Sequence, residues 1–463
     1  MRANSILIHH GYVVTLNRER EIYENGAVYL EGNSITEVGR TADLIGKYTA
    51  DHQIDASGCI VLPGFIDAHN HVVQYLSKGI ADDLPVFESL YKRIFPYETY
   101  LTEEDVYWSA MGNFLEMIKS GTTCFCDPGG YHPERSIEAA ILIGIRGITN
   151  RSTRDIEDPT FPLPSRRRET REETLKNAED LVKRWNGAEN DRIRAWFSLR
   201  IIFNVSDHLV KAVKELADDY HVGIHAHAAC VRGENEEVQR RWGVRSLERY
   251  HDLGLFGPNL LLIHMGFPNE REIEWLKAHD VKVVHCPSGS MHFAHGVISE
   301  GMIPKMVKAG VTVALGNDSA TASRSLDMVR TMCLAADAHK DFTGNPREIG
   351  AYKALEMATM DGARALLWED KIGSLEKGKR ADLIIIDTSK PEWHPLADPI
   401  TNLVYSADGK SVETVIIDGK IIMEHRKLLT VNEREVIENV DRASSEVMKR
   451  CGIKIESPWK TMH

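Results

Sequence analysis

Short apolar runs alternate with longer amphipathic segments through the middle of the chain. The amphipathic segments, such as EEDVYWSAMGNFLEMIKSG, place apolar residues at helical spacing and so predict helices. The apolar runs predict buried strands, and there are eight of them: VLPGFIDAHNH, GTTCFCD, IRGITNRS, IRAWFSLRI, VGIHAHA, LLLIHM, VKVVHCP and VTVALGND. Eight strand–helix units predict an α/β fold, a (β/α)8 TIM-like barrel. A doubly wound open sheet is the alternative, but no glycine-rich phosphate turn follows the first strand.

The two ends of the chain share a different pattern. Apolar and polar residues alternate over short runs in ILIHHGYVVTLNREREIYENGAVYLEGNSITEVG and in VETVIIDGKIIMEHRKLL, which is typical of small antiparallel strands. Neither end alone is large enough to cover both faces of a sheet. We therefore predict a small β-sandwich domain built from residues 1–58 and 373–430, a barrel over 59–372, and a helical tail over 431–463.

Two long irregular segments interrupt the barrel pattern. LSKGIADDLPVFESLYKRIFPYETYL follows the first predicted strand, and IEDPTFPLPSRRRETREE follows the third. Both lie on the carboxyl side of a strand, where barrels place their substrate loops. The triple arginine at 166–168 is interpreted as a solvated loop face, with an anion site as the alternative.

Composition and charge restrict the classes of partner that the protein is expected to bind. The 463 residues carry a net charge of −12, which disfavours nucleic acids and anionic membranes because both need a basic face. The start MRANSILIHH has no apolar core for a signal peptide, and no run approaches the roughly 20 apolar residues of a membrane span. The seven cysteines lack a disulfide spacing and fit a reducing compartment. We expect a cytoplasmic protein with a small-molecule substrate.

Five of the eight predicted strands end in residues that bind metals. Alternate side chains of a strand face the same side, and all strand ends of a barrel meet at one mouth. A lone histidine in an apolar strand is usually a core residue, but several polar rings buried together need a partner, and a divalent cation is one. The residues are His69 and His71, His225 and His227, His264, His285, and Asp318.

This set of candidate ligands indicates the chemistry. Imidazoles with one carboxylate suit zinc, iron, cobalt or manganese rather than calcium. Such an ion lowers the pKa of a bound water to about 7 and so supplies a nucleophile at neutral pH. Asp318 can ligate the ion and accept the proton of the water, while His264 and His285 can hold the nucleophile or stabilise developing charge. The pattern predicts metal-assisted hydrolysis.

A set of motifs extends over nearly the whole chain: PGFIDAHNHV, SGTTCFCD, HAHAAC, VVHCPSGSMHFAHG, VALGNDSA and GSLEKGKRADLIIID. In these motifs the chain resembles the metal-dependent amidohydrolase superfamily, in the branch of the cytosine, guanine and S-adenosylhomocysteine deaminases and the triazine hydrolases. The resemblance implies one divalent ion per chain, zinc before iron, cobalt or manganese, held by His69, His71, His227 and Asp318. It places His264 near the attacking water and His285 against the substrate or its leaving oxygen. We also expect a homo-oligomer.

Three candidate substrate-binding residues are Cys230, His292 and Arg200. Deaminases of this branch carry a glutamate three residues after the fifth-strand histidine, and it moves a proton to a ring nitrogen; Cys230 takes that place here. A thiol with an ordinary pKa near 8.5 is a poor substitute for a carboxylate. His292 stands where relatives have a lysine in the seventh-strand loop. Arg200, at the fourth strand, is expected at the mouth or in a salt bridge on the rim.

The absent glutamate decides the substrate class that we expect. Hydrolysis of an acyl C–N bond needs no ring-nitrogen shuttle, so we predict a urea, carbamate, thiocarbamate or anilide substrate, as in the similar phenylurea and molinate hydrolases. The alternative is a deaminase or dechlorinase of a heteroaromatic ring, such as a purine, a pyrimidine or an s-triazine. A catalytically silent scaffold is a third hypothesis, but scaffolds of this kind usually lose metal ligands, and this chain retains them.

Overall fold

Strands alternate with helices along the middle of the chain, as the apolar pattern predicts. The computed structural model describes residues 5–156, 169–455 and 459, so the arginine cluster at 166–168 lies outside the described residues. The strands are β1 (Ser5–Val14), β2 (Ile22–Glu31), β3 (Ser34–Arg40), β4 (His52–Asp55), β5 (Cys59–Pro63), β6 (Phe65–Asp67), β7 (Thr122–Asp127), β8 (Arg146–Thr149), β9 (Arg151–Thr153), β10 (Ile193–Arg194), β11 (Phe197–Leu199), β12 (Ile224–Ala228), β13 (Leu260–His264), β14 (Lys282–His285), β15 (Val313–Leu315), β16 (Leu383–Asp387), β17 (Val412–Ile417), β18 (Lys420–Glu424) and β19 (Lys427–Leu428). The helices are α1 (Thr41–Leu44), α2 (Val86–Ser89), α3 (Phe95–Thr99), α4 (Glu103–Lys119), α5 (Pro133–Ile143), α6 (Arg171–Trp185), α7 (Ala188–Asp191), α8 (Asp207–Asp219), α9 (Glu234–Trp242), α10 (Ser246–Asp252), α11 (Glu270–Ala278), α12 (Pro287–His292), α13 (Val297–Glu300), α14 (Met302–Ala309), α15 (Met328–Thr343), α16 (Ala351–Met357), α17 (Met360–Ala365), α18 (Pro399–Tyr405) and α19 (Glu433–Cys451).

Both ends of the chain meet in one sheet. Its nine strands run in the order β19-β18-β17-β16-β5-β1-β2-β3, with β4 beside β1, so the pairing of β16 with β5 joins the two segments. Alternate side chains of these strands, among them Ile8 and Val28, are buried in one apolar core. The sheet also takes in β5, because Val61 pairs with Val13 and with Ile385. The first segment of this sheet therefore extends beyond the predicted boundary at residue 58.

Ten short parallel strands form the barrel, because two of the eight predicted strands are each divided, one into β8 and β9 and the other into β10 and β11. They pair in the orders β10-β8-β7-β6 and β15-β14-β13-β12-β11-β9. The barrel closes where the segments after its first and last strands meet. There the Asp318 N–H donates to the His69 carbonyl at 2.9 Å, and the His71 N–H donates to the Asp318 carbonyl at 2.6 Å. Gly316 permits this approach, because a Cβ there would lie 2.9 Å from the His69 nitrogen. Closure brings the polar ends of β6 and β15 side by side.

Capped amphipathic helices surround the strands, and α4 shows why they form. The Thr102 hydroxyl accepts a hydrogen bond from the Asp105 N–H at 3.2 Å and Asp105 reaches back to the Thr102 N–H, which is a capping box. The helix buries an apolar face that includes Phe114. The tail helix α19 packs against α4, and Arg442 forms an ion pair with Glu104. Among the described residues, no helix combines the length and apolar character needed to cross a membrane.

Candidate active site

Four of the predicted metal ligands converge at the mouth of the barrel. His69 and His71 follow β6, His227 lies in β12, and Asp318 follows β15. The Asp318 Oδ1 lies 3.6 Å from the His69 Nε2 and 3.7 Å from the His71 Nε2. The ligand nitrogens of His69, His71 and His227 all lie within 4.8 Å of one another. We call these four residues the floor of the pocket.

The floor fits a divalent cation. Burial, together with the neighbouring rings, lowers the pKa of His71 and His227 well below the usual value, and burial lowers the pKa of His69 to about 3, so the imidazoles are neutral. In the tautomer whose proton lies on the His69 Nδ1, the His69 Nε2 and the Asp318 carboxylate oxygen are two acceptors 3.6 Å apart. Within the described part of the chain, the His69 Nε2 is buried without a hydrogen-bond partner. A bound cation satisfies such lone pairs.

Buried neighbours hold the floor in position. The His225 Nε2 lies 2.9 Å from the His69 Nδ1, and when the His69 Nδ1 donates its proton to His225, the lone pair of the His69 Nε2 is free for a metal. The Asp67 carboxylate accepts hydrogen bonds from the Asn317 N–H at 3.0 Å and from the Asn317 side-chain amide at 2.8 Å. Burial raises the pKa of Asp67 to about 7. Asp67 therefore ties the end of β6 to the end of β15, and His225 orients a ligand.

His264, at the end of β13, lies beside the floor. One of its ring nitrogens lies within 4.8 Å of the ligand atoms of His69 and Asp318. The backbone of His264 has a φ of +74° and that of Asp318 a φ of +67°, a region that non-glycine residues rarely adopt. Such strain persists only where the surrounding structure imposes it, and it concentrates at active sites.

A pocket opens above the floor. The segment that follows the first barrel strand supplies much of an apolar lining, as expected of a substrate loop. The apolar side chains of the lining include Val86, Phe87, Leu90, Ile94, Phe203 and Phe293. We call this lining, with the polar residues that interrupt it, the wall of the pocket.

Cys230 lies in the wall, and beside it is a carboxylate that the sequence did not reveal. Glu234, the first residue of α9, is 3% exposed and also lines the pocket. Its two carboxylate oxygens accept hydrogen bonds from the N–H groups of Ala229 at 2.6 Å and Cys230 at 2.8 Å. Burial raises the pKa of Glu234 above its ordinary value. The sequence signal was weak, because an acidic residue that starts a helix is usually exposed.

Arg200 lines the pocket, but its guanidinium is already occupied. The Arg200 Nη2 donates to both carboxylate oxygens of Glu98, at 3.0 and 3.1 Å, and both residues are buried. Gln74 donates to the same carboxylate at 2.9 Å. The charge of Arg200 is therefore neutralised inside the wall, which matches the salt-bridge alternative of the sequence interpretation.

The histidines of the seventh strand and its loop are placed differently from the prediction. His285 is 0% exposed, and its Nε2 lies 3.1 Å from the His339 Nε2 on α15. The His292 Nε2 lies 3.1 Å from the Asp82 Oδ1. Neither residue is among the described residues that line the pocket, whereas His295, which the sequence did not single out, is. The spacing of SMHFAHG offered both His292 and His295, and only the loop conformation separates them.

Comparison with known proteins identifies relatives along nearly the whole chain. The family model described as "Amidohydrolase family" matches residues 60–422. A 5-methylthioadenosine/S-adenosylhomocysteine deaminase of Syntrophobacter fumaroxidans is 37% identical over 441 residues, which cover 95% of this chain and 97% of that protein. A 5'-deoxyadenosine deaminase of Methanosarcina acetivorans is 36% identical, with 96% of this chain and 99% of that protein covered.

Solved structures agree with this assignment. An adenosine deaminase of Xanthomonas campestris with bound zinc has a TM-score of 0.90 and 27% identity, covering 96% of this chain and 99% of that one. A zinc-complexed atrazine chlorohydrolase of Arthrobacter aurescens shares the fold, with a TM-score of 0.86 at 21% identity over 95% of this chain and 100% of that one. The predicted family and barrel fold are thus confirmed: the chain belongs to the amidohydrolase family and is a metal-dependent hydrolytic enzyme that acts on C–N bonds.

Proposed function

We propose that this enzyme deaminates the adenine ring of uncharged nucleosides, with 5'-deoxyadenosine and 5'-methylthioadenosine as the model substrates, and that it uses one zinc ion per chain. The observation that carries the proposal is the identity of 36–37% along nearly the entire chain to relatives named for these reactions. This is the alternative that the sequence left open. The preferred acyl C–N substrate rested on the glutamate replaced by Cys230, and the buried carboxyl group of Glu234 supplies an acid in the same wall.

The residues of the floor have defined tasks in such a reaction. His69, His71, His227 and Asp318 would hold the divalent ion, which when bound lowers the pKa of water to about 7. Asp318 accepts a proton from the attacking water, and His264, on the neighbouring side, holds that water against C6 of the ring. The attack replaces the exocyclic amine by oxygen, so water and the adenine ring give a hypoxanthine ring and ammonia.

Glu234 and Cys230 supply the second proton transfer. Attack at C6 makes N1 of the ring basic, and N1 then needs a proton. Burial raises the pKa of Glu234 above its ordinary value, so this carboxyl group takes up a proton more readily than an exposed glutamate does. The Cys230 thiol lies between this carboxyl group and the pocket in our proposal. Glu234 is then the proton reserve, and Cys230 its contact with the ring.

The charge of the wall supports a nucleoside rather than a nucleotide. Among the described lining residues, Arg200 is the one arginine or lysine, and Glu98 neutralises it. The apolar side chains of the wall, among them Phe87 and Leu90, suit a deoxy or methylthio group better than a phosphate. We therefore expect adenosine 5'-monophosphate to be a poor substrate.

A substrate panel tests the proposal. Zinc-loaded enzyme is incubated with 5'-deoxyadenosine, 5'-methylthioadenosine, adenosine 5'-monophosphate, a phenylurea, a carbamate and an anilide, and released ammonia and amines are quantified. We expect ammonia from the two uncharged nucleosides, with kcat/KM for the monophosphate lower by about tenfold or more. Cleavage of the acyl compounds without any ammonia from the nucleosides would overturn the proposal. The Asp318→Asn enzyme is the control for contaminating activity.

A further inference from the structure

His295 is a buried side chain in the wall with no partner for either ring nitrogen. It is 5% exposed and lines the pocket. Neither its Nδ1 nor its Nε2 has a hydrogen-bond partner among the described residues. A neutral imidazole always carries one N–H donor and one acceptor. Buried polar groups of this kind are normally paired, so an unpaired one in a pocket wall points to a ligand.

The surrounding structure holds this ring in one place. The His295 N–H donates to the Ser290 carbonyl at 2.9 Å, and the His295 carbonyl accepts from the Arg232 N–H at 3.3 Å. The ring stacks on Phe293, with centroids 6.0 Å apart and planes at 15°. It stands at 88° to the His264 ring, with centroids 5.4 Å apart. His295 is therefore fixed beside the group that would hold the attacking water.

Polar side chains lie on both sides of His264 because of the strand order. His264 ends β13, which lies between β12 and β14 in the sheet. Cys230 and Glu234 follow β12, and His295 follows β14. In an adenine ring, the reacting C6 likewise lies between two acceptor nitrogens, N1 directly and N7 one carbon away. The pocket thus has one polar group on each side of His264, just as the ring has one acceptor nitrogen on each side of C6.

We infer that His295 is a substrate-contacting residue that donates a hydrogen bond to N7 of the purine, opposite the Cys230 and Glu234 side that serves N1. The inference rests on the proposed function and adds a basis for selecting purines. The two sides are not interchangeable. Burial lowers the pKa of His295, so it donates a hydrogen bond without transferring a proton, as N7 requires, whereas N1 needs a proton.

The test combines two variants with one substrate analogue. His295→Phe keeps a planar ring but removes the donor, and His295→Gln retains a donor. His292→Phe is the matched control, because His292 lies three residues away and outside the described lining of the pocket. Each enzyme is assayed with 5'-deoxyadenosine and with its 7-deaza analogue, which lacks the N7 acceptor. Zinc content and thermal unfolding are measured for all of them.

We expect the wild type to lose about tenfold in kcat/KM on the 7-deaza analogue, the worth of one buried hydrogen bond. The kcat/KM of His295→Phe on 5'-deoxyadenosine should be about tenfold below that of the wild type and should fall no further on the analogue, with normal zinc content. His295→Gln should recover part of the loss, and His292→Phe should behave as the wild type. Additive losses, or no discrimination against the analogue by the wild type, would overturn the inference alone. Absence of turnover of any adenine nucleoside by zinc-loaded wild type overturns the proposed function and the inference with it. If His295→Phe fails to fold, His295→Gln and the wild-type comparison still decide.

Discussion

The floor and the wall of the pocket are built in different ways. The floor residues lie in a barrel strand or within four residues of its end, so the strand order and the backbone hydrogen bonds that close the barrel determine their positions. The polar residues of the wall, such as Cys230, Glu234 and His295, lie in loops and at a helix start. Their positions depend on loop conformation. In the proposed reaction, the barrel therefore accounts for water activation, and the loops account for which molecule is attacked.

The largest expected effect comes from breaking the floor. Asp318→Asn removes a charged ligand and the proton acceptor for water, so kcat/KM for 5'-deoxyadenosine should fall by about 10³-fold. The protein should also bind zinc more weakly, which metal analysis after dialysis measures. The matched control is Asp127→Asn, because Asp127 also ends a barrel strand, is buried, and accepts a hydrogen bond from the Gly129 N–H. Equal losses in both variants would show that burial of a strand-end carboxylate, rather than its place in the floor, carries the effect.

A wall residue that serves stability should behave differently. Arg200→Met leaves the buried Glu98 without its cation, so the free energy of unfolding should fall by about 3 kcal/mol. Urea denaturation measures this change. The double variant Arg200→Met with Glu98→Met should recover much of the loss, because no buried charge then lacks a partner. Unchanged stability with a raised KM would instead make Arg200 a substrate-binding residue, as the sequence predicted.

Glu234, the proton reserve of the wall, gives the next contrast with the floor. Glu234→Gln cannot supply a proton, so kcat should fall by about 10²-fold while the zinc content stays near that of the wild type. The control is Glu237→Gln on the same helix, whose carboxylate pairs with Arg240 and Arg241. A loss of zinc in Glu234→Gln, or an equal loss of activity in the control, would show that the helix and not its first carboxyl group matters.

The smallest effect is expected at Cys230. If Glu234 holds the proton, Cys230→Ala leaves the reserve in place and a water can bridge the gap, so turnover should fall by less than about tenfold. Steady-state kinetics on 5'-deoxyadenosine measures it. Complete loss of activity with zinc still bound would give the thiol an indispensable chemical role.

The sequence predicted the barrel and the grouping of His69, His71, His227 and Asp318 because both follow from period and strand order. It could not separate His285 from His295. His285 stands at a strand end like the ligands, yet it packs against His339 from α15, a contact distant in sequence. His295 reaches the pocket only through the conformation of its loop. Glu234 was missed because its burial results from bonds to the N–H groups of Ala229 and Cys230.

The central claim is that one metal ion on this floor activates water for attack on an adenine ring. Its most direct test is the rate of ammonia release from 5'-deoxyadenosine during stepwise addition of zinc to metal-free enzyme. The account predicts a linear rise that saturates at about one zinc ion per chain, and no rise for the Asp318→Asn enzyme. Undiminished ammonia release from the metal-free wild type, or none at a full equivalent of zinc, would contradict it.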